Sequence, residues 1–323
     1  MNATTSAPAP ASPSMRRLDA GNAGTTSALP EAPQVPLPLS PGRIALRRAR
    51  RHGSVIVGGS LLLVIVLCAL LAPWLAPHDP YAQDVTRRLI PPIWHDKGTW
   101  EHLLGTDKLG RDYLSRLLFG ARVSLIIGLV TAVIAGVIGT TLGVLAGYYG
   151  GRVDAVISYI ITTRLAMPVV LVALAMASLV GGSLQVVILL LGLLLWDRFA
   201  IVTRSATQQL RDAEFIAAAK ALGASTPYIL LRELLPNLMS ALTVVATLEM
   251  AHAILLESTL SFLGLGVQPP TPSWGLMVAE GKAYMFFQPW VILIPGVVLA
   301  LLVLAINLVG DGIRDLTAPD GRN

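Results

Sequence analysis

The sequence predicts an all-α membrane protein with six transmembrane helices, and three observations support that prediction. Apolar residues make up 54% of the 323 residues and charged residues only 13%, whereas a typical soluble domain carries about 25% charged residues. The mean hydropathy is +0.67. Several uncharged stretches exceed the roughly 20 residues that a membrane-spanning helix needs. A soluble protein of this composition would expose too much apolar surface to stay dispersed, so an ordinary cytoplasmic enzyme is excluded.

The first 42 residues differ from the rest and are predicted to form a disordered tail. Eight of the 22 prolines lie within the first 41 residues, among Ala, Ser, Thr and Gly, and such a stretch buries too little apolar surface to offset the entropy of ordering it. A basic cluster follows at Arg43, Arg47, Arg48, Arg50 and Arg51. Because basic residues favour the cytoplasmic side of a span, the N-terminus is expected inside. A nucleic-acid-binding arm is the less favoured explanation of this cluster.

Six spans follow from the uncharged stretches. Between the third and fourth spans, Gly181, Gly182 and Ser183 are the natural break. The fifth span is expected to begin after Pro236, because proline interrupts helical hydrogen bonding. The predicted spans are residues 53–77, 123–151, 155–180, 184–203, 237–257 and 283–310.

The distribution of basic residues predicts that both termini lie in the cytoplasm. Loops on the predicted inner side carry Arg152, Arg204, Arg211, Lys220, Arg232, Arg314 and Arg322. The outer turn at 181–183 has no basic residue, and the outer segment 258–288 has only Lys282. The first outer loop, residues 77–118, carries six basic and six acidic residues and does not help the assignment. The basic excess therefore indicates an N-in, C-in topology.

The loop at residues 212–236, DAEFIAAAKALGASTPYILLRELLP, carries the strongest functional signal. Asp212 is expected to cap a slim alanine-rich helix, with Glu214 in its first turn. Gly223 is expected to end that helix in the left-handed conformation. Thr226 and Pro227 are expected to start a second helix, and Pro236 to close it. Such a helix–turn–helix suits insertion into a cleft of another protein.

This loop resembles the EAA loop of ABC importer permeases, whose pattern is Glu-Ala-Ala, three residues, Gly, nine residues, Ile, one residue, Leu-Pro. Aligned on Gly223, the alanines at 217–219 fall on the Glu-Ala-Ala positions and Leu235–Pro236 on the terminal pair. Ala217 replaces the pattern's Glu, and Glu233 replaces its Ile, so a salt bridge by the family glutamate is not carried over. An ordinary amphipathic interfacial helix is the alternative. The residues assigned to ATPase coupling are Asp212, Ala217, Ala218, Ala219, Gly223, Ala224, Leu235 and Pro236.

Three further segments resemble C-type permease subunits of dipeptide and oligopeptide importers. They are LGTDKLGRDYLSRLLFGARVSL at 104–125, LSFLGLGVQPPTPSWG at 260–275 and NLVGDGIRD at 307–315. The resemblance covers about residues 45–315. It implies a type I ABC importer permease fold with a cytoplasmic coupling helix, in the bacterial inner membrane. The domains it implies are the tail 1–42, the first span and outer loop 43–118, the permease core 119–310 and the C-terminal tail 311–323.

The resemblance also implies the partners. These are a second homologous permease, two ABC ATPase subunits, and a periplasmic or extracellular substrate-binding protein. The chain has no GxxxxGK[ST] phosphate-binding sequence, so no cofactor is expected in it, and ATP-Mg is expected in the partner ATPases. Related permeases serve dipeptides, oligopeptides, glutathione or nickel, and the motifs leave the choice open.

The segments at 104–125 and 260–275, both predicted to lie outside, also support structural predictions from their own residues. Leu114, Leu117, Leu118 and Ala121 share one helical face, which predicts an interfacial helix in which Asp112 and Arg116 pair. Gly264, Gly266, Pro269, Pro270 and Pro272 are expected to break the helix after the fifth span. Trp274 is expected to anchor that segment at the headgroup level. Both segments are candidates for contact with the binding protein, and lids that merely cap the bundle are the alternative.

Ionisable residues inside spans are costly and therefore informative. Arg164 and Asp197 are expected at similar depths, which predicts an ion pair with a structural role. Glu249 and His252 share one face of the fifth span, and Glu257 ends it. An acid that lines a cavity could receive the amino terminus of a peptide, so these three residues are the candidate translocation path. A buried Glu249 bonded to a neighbouring helix is the alternative.

Other functional classes find little support in the sequence. The single cysteine, Cys68, excludes an intramolecular disulfide and a cysteine-based zinc site. HExxH and GxSxG are absent, and His52, His78, His95, His102 and His252 show no metal-ligand spacing. No catalytic residue and no metal site are therefore predicted. An ion-coupled secondary transporter is the more serious rival, but no internal repeat is visible, and it would leave the 212–236 loop unexplained.

Overall fold

The computed structural model describes residues 53–317, and their regular structure is helical, with no strand among them. The predictions for the N-terminal tail, the basic cluster that follows it, and residues 318–323 lie outside this range. We number the helices α1 (Gly53–Leu70), α2 (Ala72–Leu75), α3 (Tyr113–Tyr149), α4 (Gly151–Leu165), α5 (Val169–Val180), α6 (Leu184–Leu194), α7 (Asp197–Leu210), α8 (Glu214–Ala221), α9 (Thr226–Tyr228), α10 (Leu235–Phe262), α11 (Trp274–Gly281) and α12 (Trp290–Thr317).

Five helical stretches in the described range are long and apolar enough to cross a membrane. They are Gly53–Leu70, Tyr113–Tyr149, Leu184–Leu210, Thr226–Phe262 and Trp290–Leu316. The bent pair α4 and α5 supplies a sixth if it is one span. These six correspond in order to the six predicted spans. The all-helical architecture with several apolar spans predicted from the sequence is confirmed.

The second span begins ten residues earlier than predicted. Helix α3 starts at Tyr113, and Asp112 caps it by accepting a hydrogen bond from the Ser115 N–H at 2.8 Å. The prediction of a separate interfacial helix is therefore wrong, because that amphipathic stretch is the first part of a 37-residue helix. The predicted Asp112–Arg116 pair is wrong as well, since Arg116 pairs with Asp107 and Glu280. The predicted domain boundary between residues 118 and 119 falls inside α3.

The third span is not one straight helix. Helices α4 and α5 meet at an angle of 84°, with the break around Pro168. Proline has no N–H and disfavours helical geometry at the preceding residue, so α4 ends before it. The fourth span has a milder break at Leu195–Trp196, between α6 and α7. Both breaks place irregular backbone within apolar spans, where it is tolerated in a membrane if it is buried in protein or lines a cavity.

The fifth span is longer than predicted, and Pro236 does not end a helix. Residues Thr226–Phe262 form one continuous helical stretch in which a π-helical segment, Ile229–Leu234, precedes α10. The Leu235 N–H donates to the Leu230 carbonyl, five residues earlier. Pro236 lies in the first turn of α10, where its missing N–H costs little. The loop and the fifth span are thus mechanically joined.

A glycine stripe lets the second and fourth spans pack closely. Gly139, Gly143 and Gly147 recur every four residues on α3. A Cβ at Gly143 would collide with Ala200 and Thr203, and one at Gly147 would lie 2.7 Å from the Arg204 carbonyl oxygen. Small residues at this spacing let two helix backbones approach within a membrane. The stripe fixes α7 against α3 and so fixes where the coupling loop leaves the bundle.

The segment after the fifth span folds back against the bundle. The chain is non-helical between Phe262 and Trp274, as the predicted helix break required. Trp274 is 2% exposed; its backbone N–H donates to Ser124 Oγ and its indole N–H to the Leu117 carbonyl. The prediction that Trp274 anchors at the headgroup level is therefore wrong. Its ring is a core group between α11 and α3.

Candidate functional site

The loop between the fourth and fifth spans contains the predicted slim helix. Helix α8 runs from Glu214 to Ala221, with Glu214 in its first turn as expected. Asp212 is not its cap, since Ala213 occupies that position and the Asp212 carboxylate lies 3.3 Å from Arg211 Nε. Ala217 and Ala218 are exposed and Ala219 is half-buried. The middle of the helix therefore exposes only small side chains, whereas Phe215 near its start is 41% exposed.

Gly223 forms the elbow that the sequence predicts. Its φ is +80°, a left-handed value that a residue with a side chain adopts only at a cost. The Gly223 N–H donates to the Lys220 carbonyl, and the Ala224 N–H donates to the Ala219 carbonyl, both at 3.0 Å. These bonds satisfy carbonyls at the end of α8. Ser225, not Thr226, occupies the cap position of the next helix, one residue earlier than predicted.

A small core of its own anchors this loop. Ile216, Ile229 and Leu234 are buried against one another, and Ala224 packs on them. The loop also exposes apolar side chains: Leu222 is 88% exposed and Leu231 63%. An exposed apolar surface held on a rigid support is typical of a contact with another protein. Leu235 and Pro236 follow at the start of α10, half-buried and exposed respectively.

A second candidate site is a cavity of about 250 Å³ where the broken spans meet the fifth span. Its lining includes the ends of α4 and α6, the beginnings of α5 and α7, and the middle of α10. The ionisable residues around it are Arg164, Asp197, Arg198, Glu249 and His252. The structure therefore brings together four of the five intramembrane residues singled out from the sequence. The helix breaks at Pro168 and at Leu195–Trp196 leave the backbone irregular next to this cavity.

Glu249 is the most buried charged group of this cavity. Its side chain is 1% exposed; Arg198 Nε lies 3.2 Å from Oε1, and His252 Nδ1 lies 3.4 Å from Oε2. Arg198 follows Asp197 directly in the sequence and was assigned no partner there. The pairing could not be read from the sequence because it joins two residues that are 51 positions apart on different helices.

The predicted pair of Arg164 and Asp197 is not formed, although both residues line the same cavity. Within the described part of the chain they make no ion pair within 4 Å, and the Arg164 guanidinium donates instead to the Leu194 carbonyl. That carbonyl lies in the last turn of α6, beside the break at Leu195–Trp196, where carbonyls lack helical partners. Arg164 therefore binds the helix end and not the neighbouring carboxylate.

Glu257 does not line this cavity. Its carboxylate is buried near the C-terminal end of α10, where Oε1 accepts hydrogen bonds from Ser261 Oγ at 2.7 Å and Ser273 Oγ at 2.9 Å. Ser273 caps α11, so Glu257 ties the outer helix to the fifth span. These contacts give Glu257 a structural position, apart from Glu249 and His252.

The loop between the first and second spans, predicted to lie outside, and the start of α3 contain two charge clusters that the sequence did not reveal. The first is a buried ion network, in which Arg111 and Arg116 share Asp107 and also contact Glu280. The second groups His78, His102 and Asp112, whose ligand atoms lie within 4.8 Å of one another. Nearby exposed carboxyls stay ionised: a hydrogen bond from Arg87 lowers the pKa of Glu101, and one from Thr86 lowers that of Asp84.

The match to known families covers most of the chain. Residues 139–322 match the family described as binding-protein-dependent transport system inner membrane component. Residues 40–92 match the N-terminal transmembrane domain of oligopeptide transport permease C.

Curated relatives extend the match. A di/tripeptide transport system permease of Pseudomonas aeruginosa is 42% identical over 84% of this chain and 90% of its own length. A putative peptide transport permease of Brucella abortus is 40% identical over 87% and 92%. A probable D,D-dipeptide permease of Escherichia coli is 38% identical over 82% and 87%.

A solved structure shows the same fold. Inward-facing MetNI, a methionine ABC transporter, superposes with a TM-score of 0.52 at 21% identity, over 63% of this chain and 97% of the matched chain. At this identity the likeness concerns the fold alone. Three findings agree with one another. They are the five apolar helical stretches with the bent pair as a possible sixth, the elbowed loop, and the family match. The chain belongs to the family of binding-protein-dependent transport system inner membrane components and is a multi-pass membrane permease.

Proposed function

We propose that this chain is the permease subunit of an ATP-driven importer and forms half of a transmembrane pathway for dipeptides or oligopeptides. The observation that carries the proposal is the loop after the fourth span. There a slim exposed helix ends at the left-handed Gly223 and rests on its own small core. The shape suits insertion into a cleft of an ATPase. ATP hydrolysis itself would occur in that partner, since this sequence has no phosphate-binding loop.

The complete importer would contain this chain and four partner chains. A second, homologous permease would complete the pathway, and two ATPase subunits would each grip one coupling loop. A substrate-loaded binding protein would dock on the outer loops, in keeping with the family's description as binding-protein-dependent. The predicted N-in, C-in topology would place the coupling loops in the cytoplasm and the outer loops on the opposite face.

The peptide substrate is supported by the relatives and by the cavity at Glu249. The relatives' names specify peptides, di/tripeptides and D,D-dipeptides, which favours a peptide over nickel or glutathione. A short peptide carries an ammonium group and a carboxylate at its ends. Glu249 offers a partner for the first, and Arg164 and Arg198 offer partners for the second, around one cavity.

Alternating access would follow from the continuity of the helix that leaves the loop. Closure of the ATPases would move α8 and turn the elbow at Gly223. Because Thr226–Phe262 is one helical stretch, that movement would pass along it to Glu249. The π-helical segment and Pro236 lie between the two and provide a place for bending. The change is a shift between two packed states, each favoured by different ligands.

The coupling surface is tested with Leu222→Asp, which places a charge on its most exposed apolar side chain. A central apolar contact is worth about 2 kcal/mol, or roughly thirtyfold in affinity. We therefore expect ATPase subunits to copurify poorly with this variant and substrate-stimulated ATP hydrolysis to fall. Gly223→Trp, which strains the elbow itself, is expected to abolish coupling while membrane insertion is kept.

The matched control is Phe286→Asp, which changes a side chain that is 84% exposed in the outer segment. It should leave ATPase copurification unchanged. Undiminished copurification and hydrolysis in both loop variants would contradict the proposal. Uptake that persists without ATP and collapses when the proton gradient is dissipated would favour the ion-coupled transporter instead.

A further inference from the structure

The outer-side cluster of two histidines and one aspartate is assembled from three separate stretches of chain. His78 follows α2, His102 lies in the loop, and Asp112 caps α3. His102 Nδ1 lies 2.9 Å from Asp112 Oδ1, and His78 Nδ1 lies 3.7 Å from the same oxygen. The two imidazole rings are side by side, with centroids 4.8 Å apart. One carboxylate oxygen therefore faces two imidazole nitrogens.

These spacings match those of ligands around a small metal ion. Zinc binds imidazole nitrogen and carboxylate oxygen at roughly 2.0–2.2 Å in tetrahedral geometry, which puts neighbouring ligand atoms about 3.4 Å apart. The observed separations of 2.9 and 3.7 Å lie on either side of that value. All three ligand atoms lie within 4.8 Å of one another, so binding an ion at these bond lengths would draw them together by up to about 1.4 Å through side-chain rotation.

A simple hydrogen bond explains only part of this arrangement. His102 and Asp112 satisfy each other, but His78 Nδ1 is a buried atom with no hydrogen-bond partner. Its backbone is held in place, because the His78 N–H donates to Ser115 Oγ at 3.1 Å. The other Asp112 oxygen is used by the Ser115 N–H at 2.8 Å. Oδ1 is thus directed at the two rings by a fixed second shell, as in known metal sites.

The surroundings suit a cation with an open coordination position. A cavity of about 180 Å³ adjoins the cluster, and Asp79, Asp84 and Glu101 line it together with Arg87, which pairs with Asp84 and Glu101 and leaves Asp79 without an arginine partner among them. Water or one of these carboxylates could complete the coordination. Two imidazoles and one carboxylate favour a borderline divalent metal such as Zn²⁺ over Ca²⁺ or Mg²⁺, which prefer oxygen ligands.

We propose that His78, His102 and Asp112 form a binding site for a divalent transition-metal ion of the zinc class on the outer side of the permease. The ion would fasten the segment after the first span and the outer loop to the beginning of α3. The inference stands apart from the peptide proposal, because none of the three ligands lines the Glu249 cavity.

The test is metal binding by the full-length protein in detergent. The protein is first stripped with a chelator, then dialysed against Zn²⁺ at graded concentrations, and bound zinc is counted by elemental analysis. We expect one tightly bound Zn²⁺ per chain. Replacing even an outer-shell partner of a metal costs roughly ten- to a hundredfold in affinity, so His78→Gln and His102→Gln should each weaken binding by at least about tenfold.

His95→Gln is the matched control, because it removes an exposed histidine of the same outer loop that is outside the cluster. His252→Gln serves the same purpose for the Glu249 cavity. Both should keep the tight site. His78→Gln is decisive if His102→Gln misfolds, since His78 Nδ1 makes no hydrogen bond that folding would miss. Absence of stoichiometric zinc in the wild type, or equal binding in His78→Gln, would overturn the proposal.

Discussion

Glu249 lies halfway along a membrane-spanning helix, and the substrate part of the proposal depends on it. Its carboxylate is paired with Arg198 and His252 at the cavity. Hydrogen bonds to charged groups contribute about 1.5–3 kcal/mol. If Glu249 receives the peptide's amino terminus, Glu249→Gln should lower peptide uptake about ten- to a hundredfold in proteoliposomes that contain the complete importer.

The control for Glu249→Gln is Glu257→Gln, on the same helix. Glu257 is equally buried but lies outside the cavity and accepts hydrogen bonds from two serines, which a glutamine oxygen can still accept. Uptake per folded complex should therefore stay near normal. Wild-type uptake in Glu249→Gln, with assembly intact, would remove Glu249 from the translocation path and leave it a structural partner of Arg198.

Asp107 is the centre of the buried ion network in the outer loop, and its charge should matter more than its shape. Arg111 and Arg116 are each 1% exposed and both pair with it. Removing one partner of a buried ion pair costs about 3–5 kcal/mol, because the remaining charge is left uncompensated. Asp107→Asn keeps the side-chain shape, so thermal unfolding in detergent should show that the free energy of unfolding falls by an amount of that order. Asp96→Asn, an exposed change in the same loop, should have almost no effect.

Single residues were predictable where the chemistry is local and missed where it is not. The left-handed turn at Gly223 was predictable, because a glycine that follows a helix commonly ends it in that conformation. The contact between Arg116 and Glu280 was not predictable, since the two residues are 164 positions apart and only the fold brings α11 to α3. The same is true of His78 and Asp112. Spacing along the sequence cannot reveal a site whose members come from different segments.

At the scale of elements, the glycine stripe on α3 sets how closely the second and fourth spans approach. Gly143→Leu would push a side chain into Ala200 and Thr203. Overpacking of this kind costs about 1–3 kcal/mol. We expect a lower unfolding temperature in detergent and weaker assembly with the partner subunits.

Gly59→Leu is the matched substitution for Gly143→Leu. Gly59 also lies in a transmembrane helix, but a Cβ there meets nothing within 4 Å. Its replacement should leave stability unchanged or slightly improved, because leucine has the higher helix propensity. Equal losses in both variants would mean that the close approach of α3 and α7 contributes nothing.

Element boundaries were harder to predict than element existence. Runs without charge identify the spans because charge is costly in lipid, but they say nothing about helices that continue beyond the membrane. Helix α3 therefore begins at Tyr113 and the fifth helical stretch at Thr226, both outside the predicted spans. Pro236, which was expected to close a helix, lies in the first turn of α10, whereas Pro168, for which no break was predicted, interrupts the third span.

At the scale of the whole molecule, the hydrophobic composition was enough to predict a membrane protein, and the motif in the 212–236 loop was enough to predict the permease family. The spatial arrangement adds what neither could supply. Two helix breaks and the middle of the fifth span meet around one charged cavity, and the same fifth helix runs on to the coupling loop. A single element thus connects the proposed substrate contacts with the proposed ATPase contacts.

The bent third span makes the topology testable. If α4 and α5 together cross the membrane, the chain has six crossings, and residues 100 and 222 lie on opposite faces. If the pair turns back instead, five crossings remain and both residues lie outside. Since Cys68 is the only cysteine in the sequence, Cys68→Ser gives a cysteine-free background for Trp100→Cys and Leu222→Cys, which replace side chains 83% and 88% exposed. We expect a membrane-impermeant maleimide to label position 100 in spheroplasts and position 222 only after permeabilisation. Labelling of both in intact spheroplasts would refute the six-crossing topology and, with it, a cytoplasmic coupling loop.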